Sequence, residues 1–254
     1  MIKRELVLST SQVAWLAGLL EGEGTFPKAT PAMPRRPRVG LVMTDRDIIE
    51  RVCDLWGTRL YANTVKDERY KPVFRSELVG GSAVSLMLLL RPHMSVRRQR
   101  QIDASMATYQ PLRQIKHKRF HMLAEDAEPF DRHWLAGLLE GEASFGLNPT
   151  AKYTVSPLVE LNTVDHDVIL RVQRIFRERY GAAVNVHVRP PRRVGYQLQY
   201  HLALLGDAAR AVIADVEPLM GERRRVRIAE LLGPYRQGRF LGEGRACYDV
   251  RRAA

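Results

Sequence analysis

Cysteine is almost absent. Cys53 and Cys247 are the only two in 254 residues, far apart and outside any Cys-x-x-Cys pair, which excludes a disulfide framework and a cysteine-based zinc site. Long apolar runs are missing as well. The most apolar stretch, Ala83 to Leu90, falls short of the roughly 20 residues needed to cross a bilayer. Met1-Ile2-Lys3-Arg4 is not followed by the apolar core of a signal peptide. A cytoplasmic protein in a reducing compartment, without a membrane partner, is the expectation. Acidic residues are in deficit, 28 against 40 Lys and Arg, for a net charge of +12. This balance points to a polyanionic partner, with RNA, DNA, ribosomal association and an anionic membrane surface all open on charge alone. The basic residues are mostly arginine, whose planar fork suits phosphate and guanine edges better than a lysine point charge does. Hydrophobic residues make up 45% of the chain, enough to fill the core of one large domain or two ordinary ones.

What is present in excess is self-similarity. Trp15-Leu16-Ala17-Gly18-Leu19-Leu20-Glu21-Gly22-Glu23 recurs letter for letter as Trp134 to Glu142. Further on, Thr44-Asp45-Arg46-Asp47-Ile48-Ile49-Glu50-Arg51-Val52 echoes Val164 to Val172, and Arg91 to Arg100 echoes Glu217 to Val226. Three matched blocks in one order make two homologous halves, and a period above one hundred residues is a domain duplication, not a solenoid. We place the halves at 1–108 and 131–254, joined by a linker at 109–130.

Each half reads as helix, two strands, helix, two strands and a helical tail, an α+β fold. Leu16, Leu19 and Leu20 have helical spacing, as do Ile48, Ile49, Val52 and Leu55 behind a capping Asp45. In the second half Val184, Val186 and Val188 alternate with Asn185, His187 and Arg189, and Tyr196, Leu198, Tyr200 and Leu202 alternate with Gln197, Gln199 and His201. Burial of the valine and leucine faces would leave a polar sheet face. The corresponding first-half strands, Leu60 to Lys66 and Val73 to Val79, present Asn63, Arg75 and Glu77 by the same parity. The linker begins with some helix, and its basic run Lys116-His117-Lys118-Arg119 reads as phosphate-contacting or solvated.

The repeated segment carries the chemistry. Ala14, Gly18 and Gly22 lie four apart on one helix face, and the second copy keeps Gly137 and Gly141. Such spacing lets two helix backbones approach closely, and since each interior glycine costs a helix about 1 kcal/mol relative to alanine, a packing reason is required. If the copies pack in parallel, Glu23 and Glu142 meet at adjoining C-terminal ends, where the helix dipoles and mutual repulsion both disfavour them. A divalent cation with hard oxygen ligands, Mg²⁺ first, would relieve both terms, and two carboxylates with metal beside a phosphodiester can activate water and stabilise a leaving oxygen. Glu21 and Glu140 lie about 200° around the helix and cannot share that site.

These residues resemble the LAGLIDADG homing endonuclease family in its single-chain, two-motif form. Leu16 to Gly24 and Leu135 to Ala143 match the signature position by position, with glutamate for aspartate and Ala143 for the last glycine. The resemblance spans about residues 11 to 232. It implies two αββαββα halves packed through the signature helices, each with a four-stranded antiparallel saddle-shaped sheet over the DNA major groove. It also implies cleavage across the minor groove leaving short 3′ overhangs in a long asymmetric target. The catalytic set it implies is Glu23, Glu142, Arg97 and Arg223, the arginines stabilising phosphate charge, and the metal set is Glu23, Glu142, Gly22 and Gly141. The metal expected with it is Mg²⁺, with Mn²⁺ as a substitute and Ca²⁺ supporting binding without cleavage. A position that in the family often holds a water-organising glutamine is Met43 and Thr163 here, a departure.

Strand parity after Glu23 and Glu142 points Thr25, Ser144 and Asn148 toward DNA and sends Phe26, Phe145 and Leu147 to the core. Arg36, Arg38, Ser156 and Glu160 follow by the same count, and Asn63, Arg75, Glu77, Asn185, His187, Arg189, Gln197 and Gln199 complete the DNA-facing set. The other arginines of the two matched runs, Arg98, Arg100, Arg224 and Arg225, read in part as a solvated face. His117 and His121 have i, i+4 spacing without a third ligand, Trp15 and Trp134 read as core, and no splicing junction suggests an intein. The expectation is a monomeric, Mg²⁺-dependent endonuclease acting on double-stranded DNA, with no obligate protein partner. Its rival is a non-cleaving binder on the same fold, an intron RNA maturase or a transcription regulator.

Overall fold

The computed structural model describes residues 5–28, 36–63, 69, 71–107, 109, 117–123, 129–151, 154–191, 193 and 195–236. The chain forms two compact units, Met1–Gly141 and Glu142–Ala254. Among the described residues, no helix is long and apolar enough to cross a membrane.

In the first unit the order is β1 (Glu5–Ser9), α1 (Thr10–Glu23), β2 (Arg38–Met43), α2 (Arg46–Trp56), β3 (Tyr61–Asn63), β4 (Val73–Val79), α3 (Gly81–Leu90), α4 (Val96–Met106), β5 (Arg119–Leu123) and α5 (Phe130–Glu142). Helix α1 starts at a capping box in which the Ser9 hydroxyl accepts from the Gln12 amide and the Gln12 side chain accepts from Ser9 N–H. Buried along nearly its whole length, it is apolar all round and not amphipathic. Helix α2 is the opposite case, with Ile48, Ile49, Val52 and Trp56 buried on one side only. Asp45 takes its N-cap position, its carbonyl accepting from Ile49 N–H at 3.3 Å, but its side chain makes no capping bond. The helix ends at Gly57, whose φ of +58° is the left-handed conformation that glycine adopts without strain.

The two signature helices touch backbone to backbone. A Cβ placed on Gly18 would lie 1.9 Å from the Trp134 carbonyl oxygen and 2.9 Å from Leu138 N, and one on Gly137 would lie 2.2 Å from the Trp15 oxygen and 2.7 Å from Leu19 N. The contacts are reciprocal, each glycine meeting the same two positions of the other copy. Farther along, a Cβ on Gly141 would meet Glu23 Cγ at 2.7 Å, so α1 and α5 run parallel and their C-terminal ends converge.

The first sheet has the order β2-β4-β3, antiparallel throughout. The expected fourth strand is reduced, among the described residues, to a single bridge between Thr25 and Gly40. The second copy continues from the matching Ser144 through Gly146, which pairs with Leu158, whereas the first has Pro27 at the position of Gly146. Proline has no N–H to give a ladder. The expected strand from Leu60 is described as Tyr61–Asn63, its continuation to Lys66 lying outside the described residues, and Val73–Val79 forms as expected.

The linker holds a strand that its composition did not announce. β5 pairs in parallel with β1, Glu5 opposite Arg119 through Ser9 opposite Leu123. Of the basic run, Lys118 is half-buried, and its ammonium donates to the Trp56 and Gly57 carbonyls. It thereby satisfies the open C-terminal end of α2, and its partial burial lowers its pKa. His121 faces Glu5 at 2.6 Å. The expected helix at the start of the linker, Lys116 and Cys247 lie outside the described residues.

The second unit repeats the order as β6 (Ala143–Ala151), β7 (Thr154–Thr163), α6 (His166–Tyr180), β8 (Val186–Arg189), β9 (Gln199–Leu205), α7 (Gly206–Val216) and α8 (Glu222–Arg236), its sheet running β6-β7-β9-β8. Val159, Leu161, Leu202 and Leu204 on one sheet face join Val168, Ile169, Val172 and Phe176 of α6 and Val212 and Ile213 of α7 in the core. Arg179 Nε and Tyr180 Oη both donate to Asp215 Oδ2, at 2.7 and 2.8 Å, tying α6 to α7. Leu147 and Phe26 are buried as expected, and Phe145 is half-buried. The expectation that the whole valine and leucine face is buried fails at the far end of the β8–β9 hairpin. Val188, Leu198 and Tyr196 are exposed there, because the hairpin extends past the core layer and β9 begins only at Gln199.

Gly18→Ala and Gly137→Ala should each cost about 3 kcal/mol, the upper end of ordinary overpacking, because the atom in the way is backbone and cannot swing aside. Gly146→Ala, whose added methyl would meet only Leu158 Cδ2 at an ordinary 3.9 Å, should instead stay within about 0.5 kcal/mol. Urea unfolding of the three variants measures both effects.

Candidate functional site

Glu23 ends α1 half-buried, its side chain lying over Gly141, and Glu142 is the residue that follows Gly141 in the chain. Below this helix end lies a buried polar cluster whose members had been assigned elsewhere or passed over. Glu21 is 3% exposed, and its carboxylate accepts from Ser95 N–H at 2.7 Å and from Ser95 Oγ at 2.6 Å. Arg98 is 7% exposed, so it is no part of a solvated face. Its Nε and Nη2 donate to the Glu21 carbonyl at 2.9 and 2.7 Å, Nη2 to Gly22 O at 2.8 Å, and Nη1 to Gly24 O at 2.8 Å. One guanidinium therefore covers the carbonyls that α1 leaves open at its C-terminus and sets a positive charge against the negative end of the helix dipole. In the second unit Arg224 Nη1 donates to Ala143 O at 2.9 Å, the position matching Gly24. The sequence could not distinguish these arginines from Arg97 and Arg223, since both pairs recur in register. Arg97 is half-buried and Arg223 exposed.

A third cation tightens the helix pair. The Arg51 guanidinium stacks 3.7 Å from the centroid of the Trp15 ring. Burial lowers its pKa, and the charge of Glu140 on α5 opposes that shift. Trp15 and Trp134 are buried, as expected.

The donors at the end of α1 are hard oxygens, suited to a divalent cation, but they are few. Gly22 O already accepts from Arg98, leaving one lone pair. Among the described residues no three His, Cys, Asp or Glu side chains gather into a metal cage. The residues fit a cation whose remaining ligands come from phosphate and water, the usual arrangement for Mg²⁺. Of the positions where a water-organising side chain was sought, Met43 is buried opposite Phe74, and Thr163 Oγ1 accepts from Asp165 N–H at 3.1 Å.

The expected polar faces are assembled by strand register. In the first unit Thr25 lies beside Gly40 and Gly40 beside Glu77, Arg38 pairs with Glu77 at 3.5 Å, and Arg75 lies over the Tyr61 ring at 5.6 Å. Asn63 is exposed at the end of β3, and Arg36 is exposed just ahead of β2. In the second unit Ser144 opposes Glu160, Asn148 opposes Ser156 and Arg189 opposes Gln199, while Asn185 and His187 share the parity of Arg189. The same face holds Asn162, which accepts from Arg189 Nη1 at 3.1 Å, and His201, 3.4 Å from Glu160. Continuing the strand parity two residues beyond Glu160 and Gln199 reaches both. Gln197 lies with Arg189, Arg193, Tyr196 and Gln199 around a hollow of about 660 Å³ at the hairpin end.

No protein-family model and no curated protein matches the sequence. Solved structures do match in fold. The LAGLIDADG homing endonuclease I-GzeII in complex with its DNA target superposes with a TM-score of 0.53 at 13% identity, covering 91% of this chain and 92% of that one. The LAGLIDADG meganuclease I-AabMI bound to uncleaved DNA gives 0.54 at 12%, covering 91% and 93%. I-SmaMI bound to uncleaved DNA in the presence of calcium ions gives 0.51 at 9%, again over 91% and 93%. The chain has the α+β fold of these single-chain proteins.

Arg98→Met should cost about 3–5 kcal/mol, as for a buried charge pair broken from one side, because Glu21 is left buried without its countercharge. Arg100→Met, on the exposed side of the same helix, should stay within about 0.5 kcal/mol. Thermal unfolding distinguishes the two.

Proposed function

We propose that this protein is a site-specific DNA endonuclease that hydrolyses both strands of a long, asymmetric duplex target, working as a single chain with a divalent cation, Mg²⁺ first. The observation that carries the reading is the parallel packing of α1 and α5, which sets Glu23 over Gly141, the residue before Glu142. Two carboxylates at converging helix ends destabilise each other, and their repetition at both copies of the motif is accounted for if they hold a cation between them. The fold shared with DNA-bound homing endonucleases and the charge of +12 support DNA as the polyanion.

Glu23 and Glu142 are the side chains that would hold the cation, with the free lone pair of Gly22 O and the backbone at Gly141 beside them. A cation bound there supplies an activated water and charge stabilisation at the scissile phosphate. Arg97 and Arg223 contribute positive charge to the phosphate as negative charge builds on it. Arg98 and Arg224 keep the helix ends in place beneath. The two sheet faces lie on the major groove and read bases, while cutting across the minor groove leaves short 3′ overhangs. Register pairs unlike residues in the two faces: Gly40 with Glu160, Val42 with Asn162, Arg75 with His201, Tyr61 with His187 and Asn63 with Arg189. Unlike faces require an asymmetric target.

Incubation with a randomised duplex library and Mg²⁺, followed by sequencing of cut ends, should yield one enriched site with 3′ overhangs. Glu23→Gln and Glu142→Gln should each lower cleavage of that site at least about 100-fold, a loss in the range for removal of a key transition-state stabiliser, while retaining binding. Ca²⁺ in place of Mg²⁺ should give binding without cutting. Unchanged cleavage in either variant sinks the assignment, and binding without cutting in Mg²⁺ would instead favour a regulator or maturase on this fold.

A further inference from the structure

We propose that Glu160 fixes the identity of one base in the target, demanding an amino-bearing base, cytosine through N4 or adenine through N6, and that His201 is its positioning residue. The proposal rests on the reading of the sheet face as a DNA surface. Glu160 lies on the inner strand β7, in register with Ser144 on one side and Ala203 on the other. Its Oε2 accepts from Ser144 Oγ at 3.4 Å and its Oε1 faces His201 Nε2 at 3.4 Å. Because an ionised carboxylate can only accept, the imidazole must donate from Nε2. The His201 side chain is 9% exposed against 35% for Glu160, so the histidine stays within the sheet while the carboxylate reaches outward. His187, with its ring centroid 6.2 Å from that of His201, closes the far side of the row. Ala203 has no side chain long enough to compete for the carboxylate.

Each carboxylate oxygen has two lone pairs. One on each points to Ser144 or His201, and both contacts are long enough for a stronger donor to dominate. What remains toward the groove is an acceptor with no hydrogen to give. Cytosine N4 and adenine N6 offer donors to it, whereas guanine O6 and N7 and thymine O4 oppose acceptor to acceptor. A carboxylate on a phosphate-binding surface weakens overall attraction, so its placement on an inner strand is costly unless it discriminates. The first unit has no counterpart in this register, since Gly40 occupies it and the nearest carboxylate, Glu77, is engaged by Arg38. The demand falls on one half of the target only.

The full-length chain, Glu160→Gln and His201→Phe are each used to select duplexes from a randomised library in Ca²⁺, and base frequencies are compared position by position. The unaltered chain should enrich cytosine or adenine at one position of one half-site. Glu160→Gln, whose amide can donate as well as accept, should admit guanine or thymine there with discrimination falling about 10-fold, while every other position keeps its preference. His201→Phe, which retains a buried ring, should lower discrimination at the same position and no other. An unaltered base profile in Glu160→Gln, or a loss spread evenly over all positions, overturns the proposal while leaving the DNA reading standing. Failure of the unaltered chain to enrich any duplex overturns both.

Discussion

Everything in the first unit is arranged around the place where two helix backbones come into contact. Side chains normally hold helix axes 8–10 Å apart, and here the reciprocal pairing of Gly18 with Trp134 and Leu138, and of Gly137 with Trp15 and Leu19, removes the side chains that would keep them so. Apolar side chains cannot substitute for this contact, because it depends on what is missing. Once the backbones touch, the helices run on side by side until Glu23 lies over Gly141. Arg98 on the α1 carbonyls, Ser95 on Glu21, and Arg51 between Trp15 and Glu140 brace the paired helices from the surrounding protein.

The sequence disclosed this constraint because duplication preserves residues that no alternative can replace. Glycine at the contact and glutamate at the helix end recur letter for letter, and alternation in the second half marked the polar face. Parity had already put His201 on that face, and followed two residues beyond Glu160 it would have added Asn162. Other features left no trace of that kind. Arg98 and Arg97 are adjacent, identical in type and equally repeated, and only the three-dimensional position of the α1 carbonyls separates a buried clamp from a half-buried neighbour. Strand β5 lies in a linker whose composition is charged, and it forms because β1 offers an edge, a tertiary cause invisible to local pattern. Burial of the β8–β9 hairpin was overestimated since period-two alternation tells which residues share a face and not whether anything covers it.

Symmetry and its loss are distributed unevenly. Where the signature helices meet, any change in one copy must fit the backbone of the other, so the copies stay alike. On the polar sheet faces the copies differ: Gly40 stands in the register of Glu160 and Tyr61 in that of His187, unlike in size, charge and hydrogen-bonding character. Pro27 shows divergence reaching the backbone itself, ending on one side a strand that Gly146 permits on the other.

The pairing of β1 with β5 bears on how the polypeptide can reach this state. Glu5 meets Arg119 across most of the first unit's sequence, and α1 gains its backbone partner only when α5 has been made. During synthesis the edge of β1 and the α5-facing side of α1 therefore stay uncovered until β5 and α5 have been made. Closing loops of that length is slow and exposes the nascent chain to mispairing. A helix buried on every side, with no polar face of its own, is the element most in need of protection over that interval.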